Sequence, residues 1–165
     1  AGYTAVDRAE TEREKTMEAN ALAVKNLARA CTGQNALLVH ISTDYVFDGH
    51  SYCPYRETDR ENPLSWYGVT KLEGERQVLM HAGSALIIRT SWLYSSSGTN
   101  FLRTILHKGR QQEELRVVSD QVGTPTHAAD LAGAILSLLP KYSANEKRIY
   151  HYSSEGVCSW YDFAK

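Results

Sequence analysis

The sequence predicts an α/β fold built around a largely parallel sheet. Two short, almost unbroken apolar runs, residues 36–41 and 85–89, have the composition of strands that are covered on both faces. Segments with a helical spacing of apolar residues lie before, between and after them, and this alternation is typical of βαβ units. At 165 residues the chain has the length of one domain.

The first half of the chain divides into helix, strand, loop and helix. Residues 10–30 have apolar positions near helical spacing, and the first apolar run follows them. Residues 48–63 are rich in Gly, Pro, Tyr and charge, which predicts a long surface loop. The next helix contains Tyr67 and Lys71 and ends near Gly83, which we expect to cap its C-terminus.

Five further elements are predicted after the second apolar run. They are a short helix, a third strand, a longer helix, a fourth strand and the start of a last helix, at residues 100–107, 115–118, 126–140, 148–152 and 159–162. Thr126 is expected to cap the longer helix and Pro140 to end it. We find no internal repeat, low-complexity tract or clear linker.

Composition and charge argue against several classes of partner. The formal net charge of −1 gives no electrostatic reason to expect nucleic acid or a membrane surface. No apolar run reaches membrane-spanning length, and no signal peptide is visible. Cys31, Cys53 and Cys158 lie far apart without metal-type spacing, which indicates reduced thiols and a cytoplasmic setting.

Tyr67 and Lys71 form the strongest chemical signal, because they stand four residues apart on a predicted helix. At this spacing both side chains project from one face of the helix, one turn apart. A phenol has a reference pKa of about 10, and we expect a neighbouring cation to lower the pKa of Tyr67. Such a pair can exchange a proton with a carbonyl or alcohol oxygen near neutral pH, although Tyr67 alone would be read as a surface aromatic.

Polar residues follow both apolar runs at the ends where a parallel α/β sheet binds its ligands. Ser42, Thr43 and Asp44 come after the first run, and Trp92 lies just beyond the polar end of the second. Thr43 can give a second hydrogen bond to a carbonyl oxygen, but a role in capping or in a turn is equally consistent. Trp92 is suited to be a platform for a sugar or, alternatively, core filler.

Seven segments in their order along the chain resemble the extended short-chain dehydrogenase/reductases, in the nucleotide-sugar branch of that superfamily. Within the branch, the chain is most similar to the dTDP-4-dehydrorhamnose reductases. The segments that carry the resemblance span nearly the whole chain and are residues 3–7, 42–49, 54–55, 62–64, 67–71, 89–94 and 120–126.

The resemblance implies a function in the synthesis of dTDP-rhamnose and of cell-surface polysaccharide. The implied reaction is hydride transfer from NADPH or NADH to C4 of dTDP-4-dehydro-L-rhamnose, which gives dTDP-L-rhamnose. By this likeness Tyr67 is the proton donor, Lys71 is its partner, and Thr43 is a hydroxyl that tunes the pair. The implied cofactor contacts are Gly2, Tyr3, Thr4, Tyr67 and Lys71, and the implied substrate contacts are Thr43, Asp44 and Trp92.

The resemblance further implies the C-terminal part of a Rossmann-like parallel sheet with elements of a smaller substrate-binding domain. We expect a single partial domain over 1–165, with a Rossmann-like portion at about 1–118 and substrate-lobe elements at about 48–66 and 119–165. The sequence contains no Gly-rich turn of the kind that receives a cofactor pyrophosphate, and its last residues read as the start of a helix. We therefore expect a fragment that, alone, binds cofactor weakly and does not reduce substrate.

Other functions stay open at this point. A nucleotide-sugar 4,6-dehydratase is disfavoured, because Tyr45 stands after Asp44 where related dehydratases place a second carboxylate. A 4-epimerase needs no such carboxylate and stays an alternative. A non-catalytic binding subunit is a further alternative, since the regulatory subunit of methionine adenosyltransferase shares much of the motif set.

Metal binding and oligomeric state are less well determined by the sequence. Some members of the resembled family pair as dimers through a metal that acidic residues bridge. Ala129, just before Asp130, offers no carboxylate at the corresponding place, so the sequence gives no support for a metal. A homodimer stays open.

Overall fold

The computed structural model describes residues 2–165 and divides the chain into two compact units. The first unit comprises the residues up to Arg89 together with Tyr142–His151, and the second comprises Thr90–Lys141 and Tyr152–Lys165. In the part of the chain that is described, no helix is long and apolar enough to cross a membrane.

Seven strands and seven α-helices are found among residues 2–165. The strands are β1 (Leu37–Thr43), β2 (Ser84–Thr90), β3 (Leu93–Tyr94), β4 (Val122–Gly123), β5 (Thr126–His127), β6 (Lys147–His151) and β7 (Cys158–Ser159). The helices are α1 (Val6–Ala9), α2 (Arg13–Met17), α3 (Ala23–Gly33), α4 (Trp66–His81), α5 (Phe101–Gly109), α6 (Ala128–Leu138) and α7 (Trp160–Ala164).

The first unit is built on a three-stranded sheet in the order β1-β2-β6. Strands β2 and β6 run parallel, with Ile87 opposite Ile149 and Arg89 opposite His151. The prediction of an α/β fold with a parallel sheet is therefore confirmed. Strand β2 could be found from the sequence because buried strands are continuous apolar runs. Leu86, Ile87 and Ile88 in β2 are each at most 1% exposed.

Helices α3 and α4 pack together and cover apolar residues of the sheet. The core cluster that results contains Val24, Ala28, Val78, Ala82, Ala85 and Ile87. Removing these side chains from water supplies the main stabilisation of the unit. A second cluster is formed by Val46, Phe47 and Leu72 and packs against Tyr55.

The helix predicted at residues 10–30 is confirmed in outline, but it contains a π-helical turn at Glu18–Leu22 between α2 and α3. Asn20 lies in this turn and is 1% exposed. Its side-chain amide accepts a hydrogen bond from Tyr3 N at 2.8 Å and donates to Tyr3 O and Thr70 Oγ1. Such turns occur frequently at functional sites, and this one fixes the N-terminal segment against α4.

Helix α4 ends differently from the prediction. Its C-terminal cap is Ala82, with φ −78° and ψ 142°, and not Gly83 in a left-handed conformation. The hydroxyl of Thr32, at the end of α3, donates to His81 O at 2.9 Å and accepts from Gly83 N at 2.7 Å. Because a side chain of the neighbouring helix satisfies these groups, the left-handed glycine cap is not needed.

Short strands and helices form the second unit. Strands β3 and β5 are parallel, with Leu93 opposite Thr126, and β4 and β7 are antiparallel, with Gly123 opposite Cys158. Helix α5 begins after Asn100, whose side chain accepts a hydrogen bond from Arg103 N. The predicted helix at 126–140 is present as α6, followed by a 3₁₀ turn that contains Pro140.

Two predictions in the second unit are wrong. Residues 115–118 form no strand in the described part of the chain, and Val118 is 51% exposed, so there is little packing to hold a ladder. Thr126 does not cap α6, because it lies in β5 and is fully buried. The cap position of α6 is His127, whose side chain makes no capping hydrogen bond.

Candidate active site

The end of β1 and the start of α4 bring Thr43 and Tyr67 together. A 3₁₀ turn at Asp44–Val46 follows Thr43, and α4 begins after Ser65, whose hydroxyl accepts from Gly68 N at 3.1 Å. A Cβ at Gly68 would lie 2.2 Å from Tyr45 O, so only glycine allows this close approach of helix and turn. As a result the rings of Tyr45 and Tyr67 meet edge to face, with centroids 5.7 Å apart.

Thr43 stands between Tyr67 and the carboxyl group of Asp44. Its hydroxyl lies near enough to Tyr67 to lower the pKa of the phenol in part. Thr43 Oγ1 donates to Asp44 Oδ1 at 2.9 Å and accepts from Tyr45 N at 3.2 Å. Burial raises the pKa of Asp44, while the hydrogen bonds from Thr43 and from backbone amides oppose that rise. Thr43 and Asp44 are therefore joined by a hydrogen bond, and both act on the pKa of Tyr67.

The pKa of Tyr67 moves in the direction opposite to the one expected from the sequence. Burial raises the pKa of Tyr67 to about 12, and the nearby Thr43 hydroxyl offsets only part of this effect. The negative charge of Asp44 raises the pKa further, as does the Tyr45 phenolate at the high pH where it forms. The phenol is therefore held in its protonated form at neutral pH, which is the state that a proton donor requires.

Lys71 lies one helical turn after Tyr67, and its ammonium group is anchored to the sheet. Lys71 Nζ donates to Ile41 O at 2.6 Å, two residues before Thr43. Burial lowers the pKa of Lys71 to about 8, and the charge of Glu75 raises it again in part. Burial lowers the pKa of His40 to about 3, and the Lys71 ammonium charge contributes to this shift.

A buried ion pair fixes the register between β1, β2 and α4. Glu75, one turn after Lys71, accepts from Arg89 Nε and Nη2 at 2.7–3.2 Å and from the hydroxyl of Ser42. Arg89 Nη2 also donates to Glu61 Oε1 at 2.7 Å. Because Ser42 directly precedes Thr43, this network determines where Thr43 stands relative to Tyr67.

The predicted cofactor contacts Gly2, Tyr3 and Thr4 lie in a segment without regular secondary structure before α1. The segment is tied to α4 through Asn20, which bonds both Tyr3 and Thr70. Thr70 immediately precedes Lys71 on the helix, so the structure brings this segment to the same helix as the predicted Tyr67–Lys71 pair. Gly2 and Thr4 are exposed.

Trp92 lies in the second unit, whereas Thr43 and Tyr67 lie in the first. Its backbone has φ 45°, and its indole stacks on that of Trp160 with ring centroids 3.5 Å apart and planes 10° apart. Ser91, just before it, donates from its hydroxyl to Thr124 O at 2.8 Å. Trp92 is half-buried.

Sequence reasoning missed Glu75, Asn20 and Trp160 as residues of these sites. Glu75 stands four residues after Lys71, and the i, i+4 rule that found the Tyr67–Lys71 pair could have been extended to it. Asn20 was detectable as a polar residue beside the apolar positions of its helix. Trp160 carries no comparable signal, because its partner Trp92 is distant in sequence.

The whole chain matches a known family of domains. Residues 1–165 match the family described as RmlD substrate binding domain. The chain belongs to this family. A dTDP-4-dehydrorhamnose reductase of Sinorhizobium fredii is 44% identical over 169 residues, which cover 100% of this chain and 57% of that protein.

Solved structures of similar proteins agree with the RmlD substrate binding domain match. The crystal structure of a dTDP-4-dehydrorhamnose reductase from Clostridium acetobutylicum has a TM-score of 0.93 at 45% identity, covering 99% of this chain and 57% of that chain. The corresponding enzyme of Bacillus anthracis, in complex with NADP, has a TM-score of 0.93 at 42% identity, with the same coverage. The chain thus spans a little over half the length of these relatives.

Proposed function

We propose that this chain supplies the proton-donating part of an NAD(P)H-dependent reductase that converts dTDP-4-dehydro-L-rhamnose to dTDP-L-rhamnose. The observation that carries the proposal is the Lys71 ammonium group, which lies one helical turn after Tyr67 and donates to Ile41 O in β1 at 2.6 Å. The high identity to dTDP-4-dehydrorhamnose reductases over nearly the whole chain supports this substrate class.

The proton comes from Tyr67 in this proposal. Its hydroxyl is protonated at neutral pH, and it gives the proton to the C4 oxygen as negative charge develops there. Thr43 gives the second hydrogen bond to the same oxygen. Lys71, whose pKa is about 8, is mostly protonated at pH 7, and its charge favours the phenolate that proton transfer leaves behind.

The residues near α4 fit a nicotinamide cofactor. An ammonium group has three donors, and Lys71 uses one of them on Ile41 O, so two are free for the hydroxyls of a ribose. A Cβ at Gly2 would lie 3.3 Å from Asn20 Oδ1, so the small residue suits a segment that Asn20 holds against the helix. When bound, NADPH or NADH supplies the hydride, and we propose that Gly2, Tyr3, Thr4, Tyr67 and Lys71 contact it.

The substrate contacts are proposed to be Thr43, Asp44 and Trp92. Asp44 offers a carboxylate oxygen that does not accept from Thr43, and such an oxygen can bind a sugar hydroxyl. Trp92 offers an indole surface to the apolar face of a sugar ring.

A chimera tests the proposal, because the chain spans 57% of the Bacillus anthracis reductase. Residues 1–165 replace the corresponding stretch of that enzyme, and oxidation of NADPH is followed spectrophotometrically with and without dTDP-4-dehydrorhamnose. We expect oxidation that depends on the keto sugar and yields dTDP-L-rhamnose. A folded chimera that binds NADPH but shows no such oxidation would contradict the proposal.

A further inference from the structure

The end of β1 is attached to α4 at two successive residues. Lys71 Nζ donates to Ile41 O at 2.6 Å. The hydroxyl of Ser42 donates to Glu75 Oε1. Because Lys71 and Glu75 stand four residues apart, these two bonds leave the same face of the helix, one turn apart. Thr43, the last residue of β1, follows directly after both attachments.

The Glu75 carboxylate does not depend on Ser42 for its own position. It is buried, with 1% of the residue exposed. Arg89 on β2 donates to it from Nε and Nη2 at 2.7–3.2 Å. Because Arg89 fixes the carboxylate from β2, the bond from Ser42 constrains the strand and not the glutamate.

A bond at Ser42 controls the direction in which the side chain of Thr43 points. Successive side chains of a strand lie on opposite faces, so the two residues are coupled through the backbone between them. Thr43 has an extended backbone, with φ −141° and ψ 157°. Its Oγ1 accepts from Tyr45 N at 3.2 Å. A rotation of the strand about its axis would lengthen this bond and turn the hydroxyl away from Tyr67.

We propose that Ser42 and Glu75 are positioning residues for the reduction, which hold Thr43 near Tyr67 by fixing the end of β1 on α4. Neither of them touches the substrate, because both act through the backbone that leads into Thr43. The inference rests on the proposed function for the reaction that Thr43 and Tyr67 carry out. The attachment of β1 to α4 stands independently of that reaction.

Glu75 has a second effect, which a merely structural residue would not have. Burial lowers the pKa of Lys71 to about 8, and the negative charge of Glu75 opposes this shift. The other titratable groups beside Lys71 are Tyr67 on α4 and His40 on β1, and both are neutral at pH 7 because their pKa values are about 12 and about 3. Without the charge of Glu75, Lys71 therefore loses its proton at a lower pH.

Ser42→Ala tests the positioning role in the chimera described above, because it removes one hydroxyl and leaves the pair of Glu75 with Arg89 in place. We expect kcat to fall about 10-fold or more, since a misplacement of about 1 Å can cost about 100-fold. Ser137→Ala, at an exposed hydroxyl of α6, is the matched control and should leave kcat unchanged. If Ser42 serves stability alone, Ser42→Ala lowers the melting temperature and leaves kcat of the folded enzyme unchanged, which would overturn the inference.

Glu75→Gln tests the role of Glu75 through the dependence of kcat on pH. We expect the alkaline limit of activity to move to lower pH by about half a unit or more, because Lys71 loses its proton earlier. Glu73→Gln is the matched control on the same helix, since Glu73 bonds Gln77 and lies 30% exposed. The same alkaline limit in folded Glu75→Gln and in Glu73→Gln would contradict the inference for Glu75. If Glu75→Gln does not fold, the results for Ser42→Ala decide.

Amide hydrogen exchange, measured by NMR on the chimera, tests the attachment without any substrate. Thr43 Oγ1 holds the Tyr45 amide, so exchange at Tyr45 reports the place of that hydroxyl. The Gly83 amide is held in the same way by Thr32 after the other end of α4, and it reports any general loss of stability. We expect Ser42→Ala to accelerate exchange at Tyr45 about fivefold more than at Gly83. Equal acceleration at both amides would show that Ser42 does not position Thr43.

The two proposals fail in different ways. If the chimera without substitutions does not oxidise NADPH with the keto sugar, the proposed function is wrong, and exchange at Tyr45 in Ser42→Ala alone decides whether Ser42 positions Thr43. If the chimera reduces the sugar and Ser42→Ala does so equally well, the function is right and the positioning role is wrong.

Discussion

Arg89 pairs with the carboxylates of Glu75 and Glu61, whose surroundings differ. We expect replacing each glutamate by glutamine to lower the free energy of unfolding by unequal amounts. Glu75 and Arg89 are each 2% exposed, whereas Glu61 is 32% exposed. Glu75→Gln leaves a buried guanidinium without its main counter-charge, which costs about 3–5 kcal/mol of unfolding free energy. Glu61→Gln removes a pair that water already screens, and should cost less than about 1 kcal/mol.

Urea unfolding followed by circular dichroism measures both costs, and a double variant separates charge from packing. In Glu75→Leu with Arg89→Met no buried charge is left unpaired, so this variant should be more stable than Glu75→Gln. Equal destabilisation by Glu75→Gln and Glu61→Gln would refute the reasoning. A double variant less stable than Glu75→Gln would refute it as well, because it would place the cost in lost packing.

Two further predictions concern the packing and protonation of the first unit. Burial lowers the pKa of His40 to about 3, so the unfolded chain binds more protons from about pH 6.5 downward and stability is lost as pH falls. Between pH 6.5 and 5 the His40 contribution lowers the free energy of unfolding, measured in urea, by about 1.5–2 kcal/mol. This loss should vanish in His40→Leu but persist in the exposed-site control His50→Leu. Gly68→Ala should cost about 1–3 kcal/mol in thermal unfolding, because its Cβ meets Tyr45 O at 2.2 Å; the control Gly133→Ala, with open space, should not destabilise.

The sheet and main helices were predictable because their signals are local in sequence. Buried strands such as β2 are continuous apolar runs, and α4 begins after a serine that caps its N-terminus. The segment at 115–118 has the same local pattern of apolar residues but lacks a partner strand among the described residues. Strand formation depends on pairing partners far away in sequence, which local patterns do not report.

The composition of the site was easier to predict than its electrostatics. Tyr67, Lys71 and Thr43 could be selected by spacing and by their positions at element ends. The direction of the pKa shift of Tyr67 could not, because it depends on burial, and burial outweighs the neighbouring groups in this fold. The stacking of Trp92 on Trp160 was likewise hidden, since it results from tertiary contacts between separate elements.

Replacement of the proposed proton donor is the most direct test of the central claim. In the chimera described above, the rate of NADPH oxidation with dTDP-4-dehydrorhamnose is compared for Tyr67→Phe and for Tyr52→Phe, the latter at a fully exposed tyrosine. We expect Tyr67→Phe to lower kcat at least about 100-fold, the usual effect of losing a positioned proton donor, and Tyr52→Phe to leave it unchanged. Wild-type kcat in a folded Tyr67→Phe chimera would contradict the assignment of Tyr67 as the proton donor.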